Sequence, residues 1–292
     1  MSQIISIVKL EDASDIYKAV EKGFELMGAP NFEKTDTFVI KPNLCCIKGP
    51  ETGATTDPRV VRAIISYLRN NYGISDISIV ESDGTQVLAD MAFKLLGYAK
   101  LSKELNVKLV NLSKAPSSSI FLKDNHFVKK ISMPHIIENA DHIVSVPKIK
   151  MHTLCSFGGA MKNQFGCNPY PKKKIYHKRM DDAIVDISMA FKADLVIVDG
   201  LVTMEGCGPV DGIPVRLNSL IFGRDVVAVD HLISRIIGVN PKRVKYLVEA
   251  EKRGVGTTNY VTRGANFEEI ASNFRNRSSL KNLYGLFDRR DL

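Results

Sequence analysis

The sequence predicts an α/β protein: a mostly parallel sheet with helices on both faces. Three observations predict it. Short β-branched apolar runs of strand length recur along the 292 residues, with helix-periodic segments between them. The run D-L-V-I-V-D over 194–199 is apolar almost throughout its middle, as a strand covered on both faces must be. The length is enough to bury a substantial core, here expected as a single α/β domain over 1–270 with a basic peripheral tail over 271–292.

Each element has its own local reason. A first strand is expected over 4–10. A helix follows over 15–26, because Ile16, Ala19, Val20 and Phe24 recur at helical spacing and Gly28 stops it. D-T-F-V-I-K over 36–41 is a second strand. Asp57 caps a helix with Pro58 at its first position, and Val60, Val61, Ile64, Ile65 and Leu68 share its inner face. A strand over 76–82 runs into Glu81-Ser82-Asp83. A helix over 87–105, broken at Gly97, leads to a strand over 107–112. Residues 113–134 read as a small antiparallel hairpin insertion around Lys123-Asp124-Asn125. A short helix over 136–140 precedes the strand H-I-V-S-V over 142–146. Further on come a helix ending at Phe191, the strand over 194–199, and a glycine-rich loop holding Glu205 and Asp211. A short strand over 220–223, a helix over 226–237 capped by Asp225, a helix over 244–252, and a last strand over 260–262 complete the order.

The chemistry gathers in residues 144–167. After Pro147 the segment K-I-K-M-H, if extended, sets Lys148, Lys150 and His152 on one side. Lys162 and Asn163 follow, among Gly158, Gly159 and Gly166. In a parallel sheet, ligands bind beyond the carboxyl ends of the strands. Lys41-Pro42-Asn43, Glu81-Ser82-Asp83, Pro147-Lys148 and Asp199-Gly200 all lie at such ends, so one edge is expected to collect them.

Composition bounds the function. No run of 18 apolar residues occurs, and the first residues lack a signal-peptide pattern, so a cytoplasmic protein without a membrane partner is expected. Five cysteines, an odd number, argue against a disulfide framework. The formal charge of +8 points to anionic partners.

The ordered series K-P-N (41–43), T-T-D-P-x-V-V (55–61), P-K-x-K-x-H (147–152), K-N-x-F-G (162–166), His177, V-D-G (198–200), M-E-G-x-G-P (204–209) and A-V-D (228–230) resembles the family catalogued as domain of unknown function 362. The resemblance spans roughly residues 37–260 and implies a fold with no stated chemistry. Some members carry a ferredoxin-like module, but the C-x₂-C-x₂-C-x₃-C run is missing here, so an electron-transfer role does not carry over.

The residues themselves favour an enzyme acting on a small phosphate- or carboxylate-bearing metabolite. Lys148, Lys150, His152, Lys162, His177 and Glu205 are the candidate catalytic groups. Lys41, Asn43, Thr55, Thr56, Asp83, Asn163, Gly166, Asp199, Gly206 and Gly208 are the candidate substrate-binding residues, the glycines letting backbone N–H groups approach an anion. Two alternatives stay open. Cys45, Cys155, Cys167 and Cys207 lie near the motifs and would be ligands if the protein held a divalent metal or an iron–sulfur cluster and did redox chemistry. The basic runs Lys172-Lys173-Lys174 and Lys178-Arg179 would serve nucleic acid, though few aromatic residues interleave them. His126, His135, His142 and His231 read as structural, and Asp230 as a buried partner for a lysine or as a catalyst.

Overall fold

The computed structural model describes residues 2–12, 15–272 and 274. Nearly all of the expected basic tail lies outside the described residues. The chain begins with β1 (Gln3–Lys9) and α1 (Ile16–Met27), whose apolar stripe is buried. β2 (Phe38–Pro42) follows, buried along its whole length. α2 (Pro58–Tyr72) starts where the sequence places its cap: the Asp57 carboxylate accepts from the Arg59 N–H. β3 (Ile77–Glu81), α3 (Ala89–Leu95), α4 (Tyr98–Leu105) and β4 (Lys108–Asn111) complete the first half. The predicted break falls at Gly97, whose φ of +83° suits glycine.

β5 (Ser117–Phe121) and β6 (Lys130–Pro134) pair antiparallel as a separate two-stranded sheet, the hairpin expected within residues 113–134. It is fastened by Asp186, whose buried carboxylate accepts the backbone N–H groups of His126, Phe127 and Val128 and pairs with Arg253 at 2.8 Å. Then come α5 (His135–Glu138), β7 (His142–Val146), β8 (Lys148–His152), β9 (Ser156–Gly158), the one-turn α6 (Ala160–Asn163) and α7 (Met180–Ala190).

The segment expected as a glycine-rich loop after Asp199 is largely strand. β10 (Leu195–Glu205) and β11 (Ile213–Gly223) form one long antiparallel pair with a bulge between Gly200 and Val202. α8 (Val226–Ile236), capped by Asp225 as expected, α9 (Lys245–Lys252) and β12 (Tyr260–Gly264) close the described chain.

The main sheet runs β12-β1-β11-β10-β7-β2-β3-β4, with β8 and β9 branching from β10. β10, β7, β2, β3 and β4 are mutually parallel, while β11 runs antiparallel to both its neighbours. Side-chain alternation splits the core. Ile40, Ile79, Val144 and Ile197 pack under α1–α4; Val39, Val80, Ile143 and Val198 pack under α6–α9. From β2 the chain moves outward to β3 and β4, then returns to the opposite side of β2 as β7. The strand order therefore reverses between β2 and β7, and a crevice is expected beyond their carboxyl ends. No described helix is long and apolar enough to cross a membrane.

Candidate functional site

A cleft of about 610 Å³ lies beyond those carboxyl ends. The strand edges it needs come from β2, β3 and β8, and its far wall from α6, the turns over 164–179 and the loop over 207–211. Among the candidates read from sequence, Lys41, Asn43, Cys45, His152, Lys162, Asn163, Gly166, His177, Cys207 and Gly208 line it.

The floor is a hydrogen-bonded net. Lys41 is 1% exposed and its ammonium pairs with Glu81 at 2.7 Å, while also donating to the Pro42 carbonyl. Glu81 further accepts the N–H groups of Leu44 and Ser82. Asn163 donates to the Lys41 carbonyl at 2.9 Å and to the Ser145 hydroxyl at 3.0 Å, tying α6 to β2 and β7. Gly166 passes so close that a Cβ there would lie 2.1 Å from Lys41 Cε and 2.4 Å from Glu81 Oε1. The glycine of K-N-x-F-G is thus required by packing against the ion pair.

Above the floor the charge is unbalanced. Lys162, Lys173 and Lys174 line the cleft, and among the described residues none has a carboxylate at ion-pair distance. Lys162 Nζ sits 4.1 Å over the Phe165 ring. Burial, with Lys150 and Lys41 nearby, pulls its pKa down. Lys173 donates to the Ser82 hydroxyl at 2.6 Å, and burial pulls it down to about 8. His152 is lowered to about 3, first by burial and then by Lys162 and Lys150, so the ring is neutral at neutral pH. Its Nδ1 accepts the Leu154 N–H at 3.1 Å, which leaves the proton on Nε2. His177 is exposed at the rim and lowered by burial and by Lys162.

Other candidates sit behind the cleft. Lys148 and Asp199, both with fully buried side chains, pair at 2.8 Å; Asp199 also accepts from the N–H groups of Asp57 and Leu201. The Lys148 ammonium is buried and donates to Asp199, whose carboxylate also ties the start of α2 to β10, so the pair holds β8 and α2 against β10. Thr55 donates to the Lys48 carbonyl and Thr56 to the Val146 carbonyl, both fully buried. Asp83 accepts from the Ala89 N–H and Asn111 and so secures a turn. Glu205 is 4% exposed at the end of β10, away from the cleft wall, as is Gly206. Lys150 is 3% exposed and stands one layer back, bonded to Asn43 Oδ1, Cys45 Sγ and the Ala54 carbonyl. The glycine pair 158–159 packs on protein: a Cβ on Gly159 would lie 2.2 Å from Asp230. Asp230 bonds the N–H groups of Ala160 and Met161, so its partner is the start of α6 and not a lysine.

The four cysteines do not form a ligand set. Cys155 and Cys167 are buried thiols, each pushed up to about 12 by burial, while Cys45 and Cys207 line the cleft. Among the described residues no three His, Cys, Asp or Glu side chains are arranged to hold a metal ion. The basic run is also divided. Lys173 turns inward, Arg179 pairs with Asp182, and Lys178 and Arg179 lie over Phe127.

Glu81 belongs to a strand-end set expected at this edge and Lys173 to a basic run read for nucleic acid, but neither was named as a catalytic or substrate-binding candidate. Lys173 sits in a K-K-K run, after N-P-Y-P, that resembles a solvated patch, and nothing local marks it as the member turned inward.

Residues 38–235 match the domain of unknown function DUF362. A curated relative is the thylakoid-associated protein sll1697 of Synechocystis, 27% identical over 241 residues, covering 80% of this chain and 73% of that protein. Two solved structures were matched at TM-scores under 0.5: a structural-genomics protein from Thermotoga maritima (TM-score 0.44, 13% identity, 85% of this chain) and the lactate racemase apoprotein from Thermoanaerobacterium thermosaccharolyticum (TM-score 0.42, 12% identity, 76% of this chain). The chain spans 59% and 54% of their respective lengths.

Proposed function

The chain belongs to the DUF362 family, and from its cleft we propose an enzyme that binds a small phosphate- or carboxylate-bearing metabolite and catalyses proton transfer on it. The observation that carries this reading is the set of lysines, Lys162, Lys173 and Lys174, facing a 610 Å³ cleft without carboxylate partners among the described residues. Lys162 and Lys173 are half-buried while Lys174 is exposed at the mouth; cations held partly out of water without a counter-ion are costly, and an anionic ligand removes that cost. In this reading Lys162 and Lys174 hold the anion. Lys173, at about 8, is poised to exchange a proton near neutral pH. His152 is too weak a base to take one; its neutral Nε2–H donates a hydrogen bond to an oxygen that becomes negative.

The test is thermal stabilisation of the full chain by inorganic phosphate and by a panel of phosphorylated and carboxylated metabolites. Stabilisation by anions is expected, weakening as pH rises through about 8, where Lys173 loses its charge. Lys162→Met is expected to raise the melting temperature of the unliganded protein while reducing anion affinity about tenfold or more, as for loss of one charge-assisted contact. No anion-induced shift in the unsubstituted protein, or the same shift in Lys162→Met, would sink the proposal.

A further inference from the structure

Cys45 follows β2 and is half-buried in the cleft wall. Its Sγ lies 3.0 Å from Lys150 Nζ. Lys150 is 3% exposed, and its other two partners, Asn43 Oδ1 at 2.8 Å and the Ala54 carbonyl at 2.7 Å, are neutral. Among the described residues no carboxylate reaches this ammonium. A buried ammonium with two neutral acceptors and one sulfur finds its counter-charge only if that sulfur is ionised. The neighbouring Cys46, 8% exposed, and then Lys150 pull the Cys45 thiol down against the burial that raises it, while Cys46 itself is pushed up. The remaining charged groups acting on Cys45 are Glu81, which opposes ionisation but is paired with Lys41, and Lys162, which favours it.

We propose that Cys45 is a thiolate nucleophile of the cleft, acting on small carboxylates or phosphate esters that carry an activated carbon. The sulfur lone pair forms the carbon–sulfur bond, and the leaving group departs with the electron pair of the bond it breaks. The nucleophile rests on the Cys45–Lys150 geometry alone. The anionic class rests on the reading of the cleft given above.

Alkylation of the full chain, followed by peptide mass mapping, tests both parts separately. An ordinary thiol slows about tenfold per pH unit below about 8.5. Cys45 is expected to react with neutral iodoacetamide at a rate that changes less than about threefold between pH 8 and pH 6. Cys207, in the same cleft but with no cation at hydrogen-bond distance among the described residues, is the internal comparison. Lys150→Met is expected to restore the ordinary slope and Lys150→Arg to keep the flat one, with circular dichroism checking the fold of each. A tenfold-per-unit slope at Cys45 in the unsubstituted protein overturns the nucleophile, whatever the variants do. Iodoacetate, which loses iodide as iodoacetamide does, tests the class: its rate relative to iodoacetamide at Cys45 should exceed the same ratio for glutathione at least fivefold, on the order expected from cationic focusing. A flat profile with a glutathione-like ratio overturns the anionic class together with the reading of the cleft, while leaving the thiolate standing.

Discussion

Lys148, Lys150, His152 and Lys162 come from one short stretch, yet burial gives them four different tasks. Lys148 is a strut. Removing one member of a fully buried pair leaves a bare charge, so Lys148→Ala is expected to cost about 3–5 kcal/mol, read by urea denaturation. Replacing both partners, as Lys148→Met with Asp199→Asn, should recover part of that loss. A fully folded Lys148→Ala would show that the pair is dispensable. Lys150 donates to the Cys45 sulfur, His152 is held neutral as a donor, and Lys162 faces the cleft over an aromatic ring. The alternation of K-I-K-M-H separates Lys148, Lys150 and His152 from Ile149 and Met151, which pack in the core. It could not rank the first three by depth, because depth depends on what β10 and the segment after β2 bring up against them.

At the scale of elements, α6 is a single turn whose position decides where Lys162 and Asn163 point, and Asp230 on α8 holds its first N–H groups. Burial raises the Asp230 pKa to about 7 against the two hydrogen bonds that lower it. A carboxyl raised on folding binds its proton in the native state while the unfolded chain has released it. Asp230 therefore contributes stability below its unfolded value, which is lost as pH rises from about 4 to about 7 and then levels off. Asp230→Asn is expected to flatten that part of the stability profile and, by losing one acceptor, to destabilise by about 1–3 kcal/mol. An unchanged slope between those pH values would remove Asp230 as its source. The cap residues Asp57 and Asp225 were legible in sequence because N-capping is local. Asp230 was not, since its partners lie 70 and 69 residues away.

For the whole molecule, the charge of +8 is distributed so that many surface lysines and arginines meet carboxylates, while the cleft keeps lysines that do not. Anion binding should therefore weaken with added sodium chloride, but less steeply than for surface attraction alone, because screening acts poorly on partly buried charges. Affinity measured between low and physiological ionic strength checks this; complete loss at physiological salt would place the anions on the surface. The sequence by itself determined the parallel α/β class, the family, most element positions and the edge at which polar residues collect. The family rests on the resemblance of an ordered series of short motifs, and the others on periodicity, capping or strand-end chemistry within a few residues. Tertiary structure alone decided that the segment after Asp199 continues as a strand, that Lys148 is sealed and Lys173 turned inward, and that Cys45 meets Lys150 rather than joining Cys155, Cys167 and Cys207 in a ligand set. Those outcomes depend on pairings between residues far apart in sequence, and on the desolvation that only the assembled sheet and its covering helices impose.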